Sequence, residues 1–454
     1  MPKKKTALTI EERLQQALVP AEEQPYEVPE NWVWVRLESV ASWGSGGTPS
    51  RKHEEYYNGD ILWIKTGELN NGWIYDTEEK ITDEGLKKSS AKLFPPYSVL
   101  IAMYGATIGK VAILGVPATT NQACACAVCN QSLLYMYLFY YCISQKNVFI
   151  EKGKGGAQPN ISQIILKQHP IPLPPLSEQQ RIVERIEELF AKLDEAKERL
   201  QEVADSFAVR KAAILHKAFT GELTKQWRLE NGVSDESWEE KNLGDVCSKI
   251  TDGTHNSPTN SLTGEYMYVT AKNIKDTGID LSNITYVTKE IHKEIYSRCD
   301  VVYGDVLYIK DGATAGIATI NTLKEEFSML SSVALIRADL KLATNEFIKT
   351  YLNYRKKEIL KNISGSAITR LTLSKIKNIA ISLPSLPEQH EIVRLIDDLL
   401  ARERSAQQAT EQALASIDLM KKSILVRAFR GELGTNKASE ASALELLRQV
   451  LAEN

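Results

Sequence analysis

Four of the six cysteines stand close together, at Cys124, Cys126, Cys129 and Cys142, and a group of thiolates is what a structural zinc ion needs. Cys124 and Cys126, however, alternate along CACAV, an apolar stretch that reads as a strand, so both face one side. The second half of the chain has no matching cysteines, and the six histidines show no metal-ligand spacing. Core thiols, with no metal bound, are the expectation. Gly44-Ser45-Gly46-Gly47 is too isolated to cradle a phosphate, because no βαβ unit with a helix opens after it; it reads as a flexible turn. Phe94-Pro95-Pro96-Tyr97 would hold a target amine if its first residue were polar. Phe94 accepts no hydrogen bond there, and a turn entering a strand is the better account. The paired acids Glu187-Glu188 and Asp397-Asp398 fall on the outer face of helical stretches, where solvation is their ordinary role. No nucleophile stands with a base, and no nuclease-type carboxylate cluster is present. The chain is expected to catalyse nothing.

Composition narrows the class without naming it. At 454 residues the chain needs two or three cores. With 43% hydrophobic and 25% charged residues it reads as soluble and globular. Its apolar runs are too short to span a bilayer, and the opening MPKKKTALTIEERLQQ has no signal-peptide core, so a cytoplasmic location is expected. Six cysteines in so long a chain suit a reducing compartment. The formal net charge of −3 gives no global footprint for nucleic acid. Any such surface must be local or completed by a partner.

Two stretches are placed to position everything else. Residues 171–223 run from IPLPPLSEQQRIVERI to ILHKAFTGEL, and residues 381–433 from ISLPSLPEQHEIVRLI to ILVRAFRGEL. At an offset of 210 and without a gap, 21 of their 53 positions are identical. In the first, Ile182, Ile186, Leu189, Leu193, Ala196, Leu200, Val203, Phe207 and Ile214 recur at the spacing of a coiled-coil seam. The second keeps the seam at Ile392, Ile396, Leu399, Ala406, Ala413, Ile417, Met420 and Ile424, diluted by Glu403 and Thr410. About forty residues give a helix of roughly 60 Å. One apolar stripe of that length needs a partner, and the other copy is the nearest candidate.

The repeat extends beyond the helices. Trp238, Leu243 and Val246 match Trp32, Leu37 and Val40, and GDVLYIKDGATAG (304–316) matches YSVLIAMYGATIG (97–109). The reading is an N-terminal helical segment at 1–31, a first mixed domain at 32–174 and a long helix at 175–223. A linker at 224–237 then leads to a second domain at 238–384, a second long helix at 385–433 and a C-terminal helical segment at 434–454. The two terminal segments would together play the role of the linker. The repeat is therefore close to circular, which predicts adjacent termini, a pseudo-twofold axis and antiparallel long helices.

Over nearly its whole length the chain resembles the specificity subunit of type I restriction–modification systems. The resemblance is carried by PLPPLSEQ and LPSLPEQ entering the helices, AFTGEL and AFRGEL leaving them, GGTPSR at 46–51, GATIGK at 105–110 and DGATAG at 311–316. It implies an α+β protein in which two mixed α/β target-recognition domains are joined by a pair of long antiparallel coiled-coil helices. Each domain would read one half of a split double-stranded DNA site. The helices would set the gap and dock two methyltransferase subunits, which hold S-adenosylmethionine; motor-nuclease subunits would cut. No cofactor is expected on this chain itself. An autonomous methyltransferase and a coiled-coil assembly protein without a DNA role are the alternatives.

Base edges are read by polar side chains on loops or strands entering a groove. In the first domain these are expected to be Thr48, Ser50, Arg51, Lys52, Lys65, Asn70 and Asn71, with Tyr104, Thr107 and Lys110 around the GATIGK turn. In the second they are Thr254, His255, Asn256, Lys272, Asn273, Lys310, Thr314 and Arg370. The Gly-Ala-Thr turn occurs in both domains and suits framework; residues found in only one domain suit discrimination.

Overall fold

The computed structural model describes residues 9–153, 160–234, 236–361 and 370–453. It divides into two units, residues 1–201 with 412–454 and residues 202–411. Each contains one mixed domain, the half of its own following helix nearest that domain, and the distal half of the other long helix.

In the first unit, Val33–Arg36 pairs antiparallel with Pro170–Leu173, tying the domain's entry to its exit. A five-stranded sheet follows in the order Ala41–Ser45, Cys124–Cys129, Val99–Ala102, Val111–Leu114 and Trp73–Ile74. A smaller sheet holds Lys80–Ile81, Tyr57–Ile64 and Thr119–Thr120. The apolar run at 133–144 forms the helix Tyr135–Ser144. The second unit repeats the plan. Glu239–Asn242 pairs with Ala380–Leu383. Cys247–Asp252, Val333–Ala338, Val306–Ile309 and Ala318–Ile320 form its main sheet. Thr285–Val287, Tyr266–Val269 and Phe327–Met329 form the smaller one.

The long helices run Leu176–Phe219 and Leu386–Phe429, 44 residues each. Inside the first unit, Asp194 meets Lys421 at 2.5 Å and Lys197 meets Asp418 at 3.6 Å. Inside the second, Arg210 meets Glu403 at 2.9 Å, while Phe219 shares a core with Ile392 and Ile396. As one number rises the other falls, so within each unit the helical segments are antiparallel. The exits AFTGEL and AFRGEL insert a ring into a domain core. Phe429 meets Tyr137 and Tyr141 edge-on at 5.2 and 5.0 Å, and Phe219 meets Phe347 and Tyr351 at 5.6 and 5.3 Å.

The seam departs from expectation at several positions, Ala196 and Ala406 among them, both of which are exposed. Met420 is 51% exposed and Val203 42% exposed, so neither lies at the contact. Thr410, read as a dilution, is buried, and the half-buried Glu403 makes the ion pair to Arg210. After Ile417 the seven-residue step still reaches Ile424, half-buried against the core of the first unit, with Leu425 and Ala428 buried beside it. An α-helix has 3.6 residues per turn, so on a straight helix a strict heptad drifts by about 20° per repeat and one of its two lines, here that of Met420, leaves the contact.

The linker is more structured than its composition suggests. Lys225–Asn231 is helical and ends at Gly232, whose φ of +67° is the left-handed cap that glycine permits. In the first unit the terminal segments replace it. Leu14 and Ala17 of Ile10–Ala17 pack in one core with Ala443 and Leu447 of Ala443–Glu453, and Arg448 reaches Glu11 at 3.1 Å.

The glycine run is corrected as well. Gly44 and Ser45 are strand residues, and Gly46 is packed so closely that a Cβ would lie 1.8 Å from the Thr120 carbonyl oxygen. Gly253 is packed the same way against Met329, at 1.9 Å. A close backbone approach, not flexibility, requires glycine there.

Candidate nucleic-acid interface

The repeated Glu-Gln pair at each helix entrance fixes how a domain sits on its helix. The Gln179 amide oxygen accepts from the Leu134 N–H at 2.9 Å, and its nitrogen donates to the Ser132 and Pro174 carbonyls. Gln389 does the same with Thr344, Leu342 and Pro384. Glu178 accepts from the Trp32 indole at 2.8 Å and from Asn436 at 2.8 Å; burial raises its pKa while those donors oppose the rise. Glu388 accepts from the Trp238 indole at 3.1 Å and forms a buried ion pair with Arg228 at 2.6 Å. The helix entrances are therefore braces, and their polar residues are consumed by the fold.

The two domains can be superposed residue by residue through their pairing. Ser45 stands opposite Ala125, and Asp252 opposite Ala334, each just before the packed glycine. The Ile161 N–H donates to the Met103 carbonyl at 2.9 Å, and the Leu371 N–H to the Lys310 carbonyl at 2.8 Å. Next to these, Tyr104 pairs with Asn160 and Asp311 with Arg370 in isolated bridges. Ser45, Met103, Tyr104 and Asn160 in the first domain thus correspond to Asp252, Lys310, Asp311 and Arg370 in the second.

In the first domain Arg51 lies over the Tyr57 ring at 4.3 Å and the Trp63 ring at 5.2 Å, and pairs with Glu79 at 2.6 Å. Lys65 meets the same carboxylate at 2.9 Å. That hydrogen bond is the main reason the Glu79 pKa lies below its ordinary value and the Lys65 pKa above. A recess of about 360 Å³ opens beside Arg51, Tyr57 and Glu79. Thr48 donates to Gln122, and Ser50 accepts from the Lys52 N–H at 3.4 Å; Thr48, Ser50 and Lys52 are exposed. Asn70 is exposed, while Asn71 spends its carbonyl oxygen on the Val111 N–H at 3.2 Å. Tyr104 is exposed, Thr107 donates to the Tyr104 carbonyl at 2.8 Å, and Lys110 is half-buried.

In the second domain two expected readers are interior. Asn273 is 4% exposed; its oxygen accepts from the Thr270 N–H at 3.0 Å and its nitrogen donates to the Asp280 carbonyl at 3.1 Å. A turn that needs both ends of the amide leaves nothing for a base. Lys310 is 2% exposed and lies 2.9 Å from Asp311 and 3.5 Å from Asp252. The remaining residues stay nearer solvent. Thr254 is half-buried and donates to the Asn256 carbonyl at 3.0 Å, and His255, Asn256, Lys272, Thr314 and Arg370 are exposed. Arg298 and Asp252, absent from the sequence reading, pair at 2.6 Å, with His255 at 3.0 Å from Arg298. A recess of about 660 Å³ lies between Ser257, Tyr268 and Lys272. The signal for Lys310 was present in the sequence, since the aligned copy has Met103 at the end of the apolar run VLIAM.

The thiols lie within the fold. Cys126 and Cys129 are three apart, but on one extended strand such positions face opposite sides. Burial pushes the thiol pKa up to about 12 at both. Among the described residues no group of three or more His, Cys, Asp and Glu side chains could hold a metal ion, and no helix is long and apolar enough to cross a membrane.

Two homologous mixed domains on repeated helices, with a shared frame and divergent strand ends, define a duplicated recognition module. The model of the type I restriction modification DNA specificity domain matches residues 29–205 and again 235–414, and the chain belongs to that family. It is 26% identical over 454 residues to the EcoKI specificity subunit of Escherichia coli strain K12, covering 94% of this chain and 96% of that one. It is 25% identical over 402 residues to the MjaIX specificity subunit of Methanocaldococcus jannaschii, covering 83% and 88%. In fold it is similar to the HsdS subunit from Thermoanaerobacter tengcongensis, with a TM-score of 0.65, 21% identity and 90% and 99% of the two chains covered. The chain is accordingly a DNA-specificity component of a type I restriction–modification system and not its catalyst.

Proposed function

We propose that each domain reads one half of a bipartite, non-palindromic DNA site, and that the chain delivers that site to catalytic partners. The observation that carries this is divergence on a fixed frame. Gln179 and Gln389, Gly46 and Gly253, and Trp32 and Trp238 hold equivalent places, whereas Ser45, Met103 and Tyr104 are answered by Asp252, Lys310 and Asp311. Unlike surfaces on like scaffolds read unlike sequences. Two such heads suit half-sites about one helical turn apart. Two methyltransferase subunits holding S-adenosylmethionine and separate motor-nuclease subunits complete the complex in the cytoplasm, and the near-neutral charge of this chain fits a phosphate grip shared with those partners.

Single-molecule methylome sequencing of the host with and without this chain tests the proposal. Loss of one bipartite adenine-methylation motif is expected, and an unchanged methylome would overturn it. Titration of the isolated chain with S-adenosylmethionine is expected to show no tight binding.

A further inference from the structure

A line of alternating charges runs through the strand ends of the second domain. Arg298 Nη2 lies 2.6 Å from Asp252 Oδ1, and Lys310 Nζ lies 3.5 Å from Asp252 Oδ2. Lys310 Nζ also lies 2.9 Å from Asp311 Oδ2, and Arg370 Nε is 3.5 Å from Asp311 Oδ1. Asp252 and Lys310 are 2% exposed, whereas the Arg298 and Arg370 side chains are 50% and 64% exposed. The ends of the line therefore face solvent while its middle is interior.

Stability alone gives no reason for this arrangement. A buried lysine is costly unless paired, and removing one partner alone is destabilising, whereas replacing a whole buried ion pair or triad by well-packed apolar residues is often neutral or favourable. The first domain has made that choice, with Met103 in the core where the second has Lys310. What the buried lysine does is hold two carboxylates close together, each of which holds one outer guanidinium. Three cations against two carboxylates leave a local positive charge on a chain whose formal net charge is −3. The contacts of Arg298 are made through Nη2 and that of Arg370 through Nε. Each guanidinium has five N–H donors in a fixed fork, so both keep donors for a ligand. Asp311 Oδ1 is buried without a hydrogen bond, so Arg370 is aimed by charge and not locked.

On the reading that this domain contacts DNA, we infer that Arg298 and Arg370 are specificity-determining residues of the second half-site, and that they read guanine. The fork of an arginine matches the O6 and N7 acceptors of guanine in the major groove. Asp252, Lys310 and Asp311 are positioning residues behind them. Among the described residues the first domain, with Ser45, Met103 and Tyr104 in those places, has no counterpart of this line.

The test uses the full complex with its methyltransferase subunits. Arg298→Ala and Arg370→Ala are each expected to lower methylation of the native site by roughly 5- to 100-fold and to relax the preference for a guanine in one half-site, leaving the other half-site unchanged. Replacing the three positioning groups together by their first-domain counterparts (Asp252→Ser, Lys310→Met and Asp311→Tyr) leaves no buried charge unpaired. It is expected to weaken the same discrimination while the melting temperature shows the chain still folded, an effect that loss of folding would not produce. Replacing half-site guanines by 7-deazaguanine removes the N7 acceptor without altering the protein, and is expected to lower wild-type binding and methylation. Several outcomes would overturn the inference alone: a second half-site without guanine on either strand, no effect of 7-deazaguanine, or both arginine variants methylating the native motif at the wild-type rate. If the wild-type complex methylates no bipartite motif, the DNA reading itself falls, and this inference with it.

Discussion

His169 shows how one residue can set the acid response of the first domain. Its ring is buried beside Tyr141 and Phe149, Nδ1 faces the Lys152 ammonium at 3.1 Å, and Nε2 has no hydrogen-bond partner. Burial, with the Lys152 charge adding to it, lowers its pKa to about 3. In the unfolded chain the imidazole titrates near 6.5. Between those values the unfolded state binds the extra proton. The contribution to stability is thus complete above pH 6.5 and is lost progressively as pH falls towards 3. At pH 5 the loss is about 2 kcal/mol. In the second domain Ile379 fills the matching place, since the Leu37 N–H donates to the His169 carbonyl and the Leu243 N–H to that of Ile379. His169→Ile should therefore keep the fold, remove the unsatisfied nitrogen and flatten the pH dependence. Urea melts of the full chain at pH 7.5 and 5.0 measure this; equal acid sensitivity in variant and wild type would mean that the ring is protonated in the folded state. Such roles were hard to read from sequence because a polar residue before a proline looks like a loop residue. Asn273 and Lys310 misled because polar residues near turns look solvent-facing, and only the alignment of Lys310 with Met103 carried a warning.

The long helices were legible because periodicity and an exact repeat are local properties of a sequence, and residues 171–223 and 381–433 show both. Which positions lie at the contact was less so. A heptad counted forward from Ile392 predicts Met420 inside, yet it is 51% exposed, whereas Ile417 is 4% exposed. Counting cannot reveal which of the two heptad lines stays at the contact as a helix drifts against its repeat, because that depends on the neighbour it packs against. Ile417→Asp places a charge in that contact and should cost several kcal/mol. Met420→Asp should stay within about 0.5 kcal/mol, as surface substitutions do. Chemical denaturation followed by circular dichroism compares the two, and similar midpoints would mean that the helices do not meet along this line. The glycine and linker stretches were misread in the opposite sense. Gly46 and Gly253 are repeated glycines under close packing, and residues 225–231 form a helix that carries Arg228 to the buried Glu388.

The chain as a whole is a duplication whose halves have kept their supports and changed their reading edges. The repeat, both domains and the antiparallel helix pairing followed from the sequence, because each leaves a mark at a fixed offset. The division of the candidate surface into exposed arginines and buried positioning groups did not, because it depends on which strand ends meet. If the long helices set the distance between half-sites, their length should be separable from the bases recognised. Inserting seven residues at the same repeat position in both, after Gln201 and after Glu411, adds about 10 Å to each helix at 1.5 Å per residue and shifts its face by only about 20°. At 3.4 Å per base pair that corresponds to roughly three base pairs of added spacer. Methylome sequencing of a host carrying the double insertion should then report the same two half-sites with a longer gap. An insertion in only one helix breaks the pairing of the two and should abolish methylation. A double insertion that changes the half-site bases while leaving the gap unaltered would show that the helices support the domains without measuring the DNA between them.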